Sequence, residues 1–197
     1  MRNMMFNDNF ILTELVVKGE KTMTRRKPHL NRERGCRFLK IFIKEFFKPV
    51  ETQYRYQIGE VLAVAMSYEN ALKYCNNTKN TGAWANIVAN RDAGCPGDYN
   101  KMFVKPELMP VKIQITGRKL ELLQNISDAD CLKEGIVKEE IGPGNFIYSY
   151  FNARRNKWFD FPTPKEAFAA LYNAINGKGA FENGGLTEAY EFRVIEK

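Results

Sequence analysis

The chain has 197 residues, with 30 lysines and arginines against 23 aspartates and glutamates, so its net charge is +7. Hydrophobic residues make up 44% and charged residues 27%, which predicts a soluble globular chain rather than a disordered one. No apolar run approaches the roughly 20 residues that a membrane helix needs, and this length predicts one domain with a real core.

The cysteines and the N-terminus bear on cellular location and on metal binding. The N-terminus lacks the basic and apolar regions of a secretory signal. The four cysteines, Cys36, Cys75, Cys95 and Cys131, show no CxxC pairing, and His29 is the one histidine, so a zinc site would need an unusual ligand set. An even count permits disulfides, but reduced thiols are favoured without a signal peptide. We expect a cytoplasmic protein with no metal and no organic cofactor.

Positive charge is concentrated in one stretch, from Lys18 to Lys48. This stretch holds eleven lysines and arginines against three glutamates, a local charge of +8, so the rest of the chain is close to neutral. Clustered positive charge is typical of a surface that contacts a phosphate backbone. A solvated basic face is the alternative interpretation.

The first predicted element is an amphipathic helix from Asp8 to Lys18. Asn7 or Asp8 can cap its N-terminus through a side-chain oxygen. Gly19 suits the left-handed position that ends a helix. The helical spacing predicts an apolar stripe made of Phe10, Ile11, Leu12, Leu15 and Val16.

A helix-to-strand corner follows. The strand would carry Thr22, Thr24 and Arg26 on one face and Met23 and Arg25 on the other. Lys21 would lie at the corner beside the threonine hydroxyls. In one interpretation, Lys21 only complements the helix dipole and the arginines are solvated. In the other, Lys21 and Thr24 form a base–nucleophile or hydrogen-bonding pair, and Arg26 binds an anion or a base edge.

Two apolar segments come next. In residues 37–48, the four-residue spacing of Lys40 and Lys44 favours a helix with a cationic stripe, although a strand over residues 37–43 also fits. Glu60–Met66 is short, partly β-branched and preceded by glycine, which predicts a buried strand.

The middle of the chain is less regular. Residues 70–97 are rich in Asn, Gly and Ala and predict an insertion or a long loop, with a short helix around Ala83–Asn90. Lys101–Val104 is a further strand candidate. Val111–Thr116 alternates apolar and polar residues as a half-buried strand does, and Arg118–Asn125 can extend it.

The clearest short helix spans Ser127–Gly135. Ser127 is a natural N-cap, and Asp130 completes a variant of the capping box. Gly135 ends the helix, which makes Glu134 its last helical side chain. A carboxylate there opposes the helix dipole, so we expect Glu134 to have a partner elsewhere.

The last third of the chain combines aromatic and basic residues. Residues 142–160 interleave aromatic side chains with arginines, a pattern that fits either base stacking or an ordinary core. Thr163, Pro164 and Glu166 open a helix as cap, first and third helical residues. Glu188–Ile195 alternates as a terminal strand.

The motif Gly19-x-Lys21-x-x-Thr24-x-Arg26 resembles the signature of the activating-signal-cointegrator homology (ASCH) domains. Further landmarks look like those of the larger bacterial and phage members and follow in the same order: Ile58–Val61, Lys101–Pro110, the helix that ends at Glu134, Thr163–Leu171 and Tyr190–Phe192.

The resemblance implies an α+β fold of the PUA-like type, a twisted, partly closed β-barrel with flanking helices. It covers one domain, residues 1–197, with insertions at 32–55 and 70–97. That class is associated with RNA binding, and the motif lines a cleft between barrel and helix. We therefore expect an RNA- or nucleotide-binding cleft, in which phosphate is held by Arg25, Arg26, Lys27, Lys40 and Lys44.

The resemblance also implies an alternative function. Some small bacterial members are similar to amidohydrolases that deacetylate N4-acetylcytidine. Carried over to this sequence, Lys21 would be the base, Thr24 the nucleophile and Glu134 the acid for the leaving amine, with Arg26 as a supporting cation. A threonine hydroxyl needs a neighbouring base, and burial is what would let Lys21 lose its charge.

Overall fold

The computed structural model describes residues 1–28 and 54–196, which form a mixed α+β fold with two sheets. The α-helices are α1 (Leu12–Lys18), α2 (Tyr68–Thr78), α3 (Thr81–Asn90), α4 (Asp128–Lys133) and α5 (Pro164–Asn176). The strands are β1 (Arg2–Met4), β2 (Met23–Arg26), β3 (Val61–Val64), β4 (Lys112–Leu122), β5 (Val137–Gly142), β6 (Asn145–Asn152), β7 (Lys157–Phe161) and β8 (Leu186–Glu196). The expected helix with Lys40 and Lys44 lies outside the described residues.

The larger sheet has five strands in the order β1-β3-β4-β8-β2. Strand β1 runs parallel to β3, and the other three pairings are antiparallel. The smaller sheet is the antiparallel meander β5-β6-β7. Within the described residues both sheets stay open, so the α+β class is confirmed but the partly closed barrel is not.

Apolar residues from the larger sheet and α1 form the centre of the core. Leu62 of β3, Ile113 and Ile115 of β4, and Tyr190 of β8 are almost completely buried, as is Val16 of α1. Burial of this apolar surface is the main favourable contribution to folding. It fixes α1 against the sheet and therefore positions the corner that follows α1.

Local signals set several helix ends as expected. Ser127 accepts a hydrogen bond from the Asp130 amide at the start of α4, and Thr163 accepts one from the Glu166 amide at the start of α5. Gly19 ends α1 with φ of 85°, a left-handed conformation that costs glycine little. Strands β3, β4 and β8 also lie where the hydrophobic pattern predicts strands.

Two predicted segments have different structures. The expected helix over Asp8–Lys18 is divided, because Ile11 adopts φ of 51° between a 3-10 helix at Asp8–Phe10 and α1. Lys101–Val104 is wrong as a strand, since Lys101–Phe103 is a 3-10 helix capped by the side chain of Asn100.

The segment predicted as an insertion or long loop is largely helical. The expected short helix is present as α3, but α2 precedes it and was missed. Ser67 caps α2 and Asn80 caps α3, each accepting a hydrogen bond from a backbone amide of the first turn. The buried face of α2, with Tyr68, Ala71 and Cys75, is too narrow to stand out among its polar residues.

Candidate functional site

The corner after α1 is held by backbone hydrogen bonds. The amides of Glu20 and Lys21 both donate to the Leu15 carbonyl, at 2.9 and 3.0 Å. The Thr22 amide donates to the Lys133 carbonyl at 2.9 Å, which ties the corner to the end of α4. The corner and Glu134 are therefore brought together by main-chain contacts.

Lys21 and Glu134 make direct contact. The Lys21 Nζ atom lies 2.7 Å from Glu134 Oε2 and 2.6 Å from the Glu134 carbonyl oxygen. Glu134 is the C-cap of α4, one position beyond the last helical residue Lys133, rather than the last helical residue itself as expected. The next residue, Gly135, has φ of 100°, and a β-carbon there would approach Leu15 within 3.1 Å. A glycine therefore lets α1 pack closely beside the Lys21–Glu134 pair.

Both members of this pair are removed from solvent, with Lys21 2% and Glu134 5% exposed. Burial lowers the pKa of Lys21 below its ordinary value of 10.5, and it outweighs the opposing charge and hydrogen bond of Glu134. An amine with a lowered pKa loses its proton more readily, as a general base must.

Arg25 contacts three carboxylates, one of which belongs to Glu134 of this pair. Its Nη1 atom donates to Glu134 Oε1 at 2.9 Å, and its Nη2 atom donates to Asp130 Oδ2 at 3.1 Å and to Glu121 Oε1. Burial disfavours its charge, but the carboxylates of Glu134 and Glu121 outweigh burial and raise the pKa of the guanidinium. Its side chain is 1% exposed, so Arg25 is neither solvated nor an open phosphate contact as expected; it instead holds Glu134 in place.

Lys119 completes the charge balance of this cluster. Its Nζ atom lies 2.6 Å from Asp130 Oδ2 and 3.1 Å from Glu121 Oε2. Burial alone would raise the pKa of Asp130, but the hydrogen bonds and charges of Lys119 and Arg25 lower it. The cluster therefore has three cations and three carboxylates, namely Lys21, Arg25, Lys119, Glu121, Asp130 and Glu134.

Lys21, Thr24 and Glu134 line one cleft of about 250 Å³. Thr24 is 6% exposed, and its hydroxyl makes no hydrogen bond with the described residues. Strand β2 pairs with β8 so that Thr24 lies opposite Tyr190, which fixes its backbone. Thr24, whose hydroxyl makes no hydrogen bond within the described part of the chain, therefore lines the same cleft as the buried lysine and carboxylate.

Helix α5 contributes Phe168, Leu171, Tyr172 and Ile175 to the lining of the cleft. The Tyr172 ring packs against Phe168 and Phe181, with centroid distances of 6.0 and 6.4 Å. Burial raises the pKa of the Tyr172 hydroxyl, so this group stays protonated at neutral pH. The cleft lining therefore combines aromatic and apolar side chains with charged ones.

Arg26 and Lys27 also line the cleft. The Nη2 atom of Arg26 donates to the Met5 carbonyl at 2.5 Å, and its guanidinium lies 6.0 Å from the centroid of the Phe6 ring. Lys27 is exposed. Of the five expected phosphate contacts, Arg26 and Lys27 therefore face the cleft, and Lys40 and Lys44 are outside the described residues.

Sequence reasoning missed Glu121, Lys119 and Tyr172 and noted Asp130 only as a capping residue. Each belongs to an ordinary amphipathic pattern, so no local signal marks it as part of a site. Within residues 1–28 and 54–196, no group of three or more His, Cys, Asp or Glu side chains is placed to hold a metal ion. No helix in this part of the chain is long and apolar enough to cross a membrane.

Comparison of the chain with known proteins gives a weak structural match and no matching family. No protein-family model matches the chain, and no curated protein matches it. Among solved structures, the chain is similar to the crystal structure of protein EF3133 from Enterococcus faecalis, described as DUF984. The match has 13% identity, covers 100% of this chain and 77% of that chain, and has a TM-score of 0.40. A score of this size does not establish a shared fold.

Proposed function

We propose that this protein binds RNA or a nucleotide by enclosing one nucleoside unit in the cleft around Lys21, Thr24 and Glu134. The observation that carries the proposal is the mixed lining of the cleft. Its lining includes the buried polar residues Lys21, Thr24 and Glu134 together with the aromatic residue Tyr172. A nucleobase needs both, because its edge forms hydrogen bonds and its face stacks on aromatic rings.

The size of the cleft supports a single unit as its occupant. Its volume of about 250 Å³ lies just below the range of small-molecule sites, which begins at about 300 Å³. Under this proposal the chain is an ASCH protein with a PUA-like fold, and the sheet β1-β3-β4-β8-β2 would be the body of the barrel. The GxKxxTxR motif supports that assignment because Lys21, Thr24 and Arg26 of the motif all line the cleft.

Binding can be measured by calorimetry with the four ribonucleosides, their 5′-monophosphates and a short single-stranded RNA. We expect saturable binding, and RNA affinity should fall steeply as salt is added. Arg154→Gln is a matched control, since Arg154 is exposed in the turn between β6 and β7 and away from the cleft. The absence of binding by all three ligand types would refute the proposal.

A second function is favoured by one specific observation, the 2.7 Å contact between Lys21 and Glu134 in a cleft that Thr24 also lines. The ion pair and the neutral pair differ only by the position of one proton between Nζ and Oε2. Arg25 donates a hydrogen bond to Glu134 Oε1, and this contact favours the ionised form. The neutral pair supplies the amine base and the carboxylic acid that amide hydrolysis requires.

The balanced reaction has two steps. As Thr24 Oγ attacks the acyl carbon of an N-acylated cytosine, Lys21 accepts the hydroxyl proton. The C–N bond breaks and Glu134 gives its proton to the leaving amine, which leaves an acyl ester on Thr24. Water then cleaves that ester, one water proton returns to Glu134, and the Lys21 proton returns to Thr24.

Incubation with N4-acetylcytidine tests this second function. We expect release of cytidine and acetate by the wild-type protein and none by Thr24→Val. Arg154→Gln should retain full turnover because Arg154 lies outside the cleft. Equal turnover by wild type and Thr24→Val would rule out the mechanism and leave binding as the function.

A further inference from the structure

The cations that line the cleft differ in whether they have a counter-charge. Lys21 and Arg25 each lie within 3 Å of a Glu134 oxygen. Arg26 makes no ion pair with any carboxylate in residues 1–28 and 54–196, and its one hydrogen bond there goes to the Met5 carbonyl. A cation that is partly removed from water without an opposite charge is unfavourable, so this guanidinium is suited to an anion that the protein itself does not supply.

The surroundings of Arg26 remove part of its guanidinium from water. Its Nε atom is buried and has no acceptor among the described residues, and its guanidinium lies 6.0 Å from the centroid of the Phe6 ring. Burial lowers the pKa of Arg26 below its ordinary value, which reflects the cost of holding this charge unpaired. After the bond to Met5, Nη1 and one hydrogen of Nη2 have no acceptor in residues 1–28 and 54–196 and can donate to a ligand.

We propose that Arg26, with Lys27 beside it, binds the phosphate of a nucleoside monophosphate whose base occupies the rest of the cleft. This inference rests on the proposed function. A guanidinium presents two parallel donors that match two phosphate oxygens, and the exposed ammonium of Lys27 adds a second charge. The small cleft volume of about 250 Å³ favours one nucleotide over a longer segment.

The test compares two affinity ratios. For the wild-type protein and for Arg26→Gln, calorimetry gives the affinity for each ribonucleoside and for its 5′-monophosphate. We expect the wild type to bind the monophosphate at least about tenfold more tightly, as for charge-assisted hydrogen bonds in partly buried sites. Arg26→Gln should bring this ratio close to one, because it removes the paired donors that match the phosphate oxygens. Lys27→Gln should lower the ratio to a smaller extent.

Two further variants separate loss of the phosphate contact from a general effect of substitution. Arg26→Lys keeps the charge and a donor for Met5 but loses the paired donors, so its ratio should lie between those of wild type and Arg26→Gln. Arg154→Gln should keep the wild-type ratio. A wild-type ratio near one, or an unchanged ratio in both folded Arg26 variants, would overturn the phosphate site while the nucleoside cleft stands. If neither nucleosides nor monophosphates bind, the proposed function fails and this inference fails with it.

Discussion

The ammonium of Lys21 lies 2.7 Å from the Glu134 carboxylate, although 113 positions separate the two residues in the chain. The pair is buried at the junction of two short connections, the corner before β2 and the end of α4. Each charge depends on the other because water is excluded from both. This relationship leads to predictions about stability and about chemistry that can be separated by experiment.

Glu134→Gln should destabilise the protein by about 3–5 kcal/mol, because it leaves the buried Lys21 ammonium without a counter-charge. Urea unfolding of both proteins gives the difference. Glu69→Gln is the control, since Glu69 pairs with Lys73 on the surface and should change stability by less than about 1 kcal/mol.

A double-mutant cycle isolates the pair itself. In Lys21→Met combined with Glu134→Gln, the cost should be clearly smaller than the sum of the two single costs, because no unpaired lysine charge remains. Strict additivity of the two substitutions would contradict a direct interaction between these side chains.

Thr24→Val should leave stability unchanged or raise it slightly. The substitution keeps the side-chain shape and removes a mostly buried hydroxyl that makes no hydrogen bond with the described residues. Thermal unfolding measures this effect. A loss of more than about 2 kcal/mol would show that the hydroxyl has a structural partner. That loss is the penalty expected when the substitution leaves the buried partner without its hydrogen bond.

The pH dependence of deacylation follows from the lowered pKa of Lys21. The mechanism needs a neutral Lys21 and a protonated Glu134, so the pair must hold one proton in total, and kcat/KM should fall as the pH rises through the lysine pKa in the free protein. Because burial lowers that pKa, the midpoint of this fall should lie below the ordinary value of 10.5. Initial rates with N4-acetylcytidine across the pH range check this. A midpoint at or above 10.5 would contradict a buried base.

Arg25→Lys should destabilise the protein by roughly 2–3 kcal/mol despite keeping the charge, because one ammonium cannot reach the three carboxylates that the guanidinium contacts. Denaturant unfolding measures the loss. Arg154→Lys is the matched control, since Arg154 makes no ion pair with the described residues and should change stability little. Equal stability of the two variants would argue against a buried cluster.

Acid stability depends on Asp130. Its pKa is lowered in the folded state, so the unfolded chain takes up a proton first as the pH falls. The stabilisation is complete above the ordinary value of 3.8 and is lost as the pH falls through the lower folded value. Asp130→Asn should therefore flatten the acid side of the stability curve. Asp92→Asn, at an exposed carboxylate, should leave that curve unchanged.

Helix ends and strands that depend only on neighbouring residues could be predicted from the amino-acid sequence. Ser127 and Thr163 each cap a helix through an amide three positions away, and Gly19 ends α1 through its own backbone freedom. These effects act within one turn of chain, so residue order alone reveals them. The alternating patterns of β4 and β8 were visible for the same reason.

Which charged side chains are buried together depends on the tertiary structure and could not be predicted from local sequence patterns. Arg25 occupies an ordinary strand position, and its carboxylate partners Glu121, Asp130 and Glu134 follow 96 to 109 positions later. Their meeting depends on the pairing of β2 with β8, of β8 with β4, and on the packing of α4 against β2. The resemblance alone suggested that Lys21 and Glu134 share a cleft, and no local pattern requires it. Interaction energies between groups so distant in sequence depend on their separation in space, and packing of the whole core sets that separation.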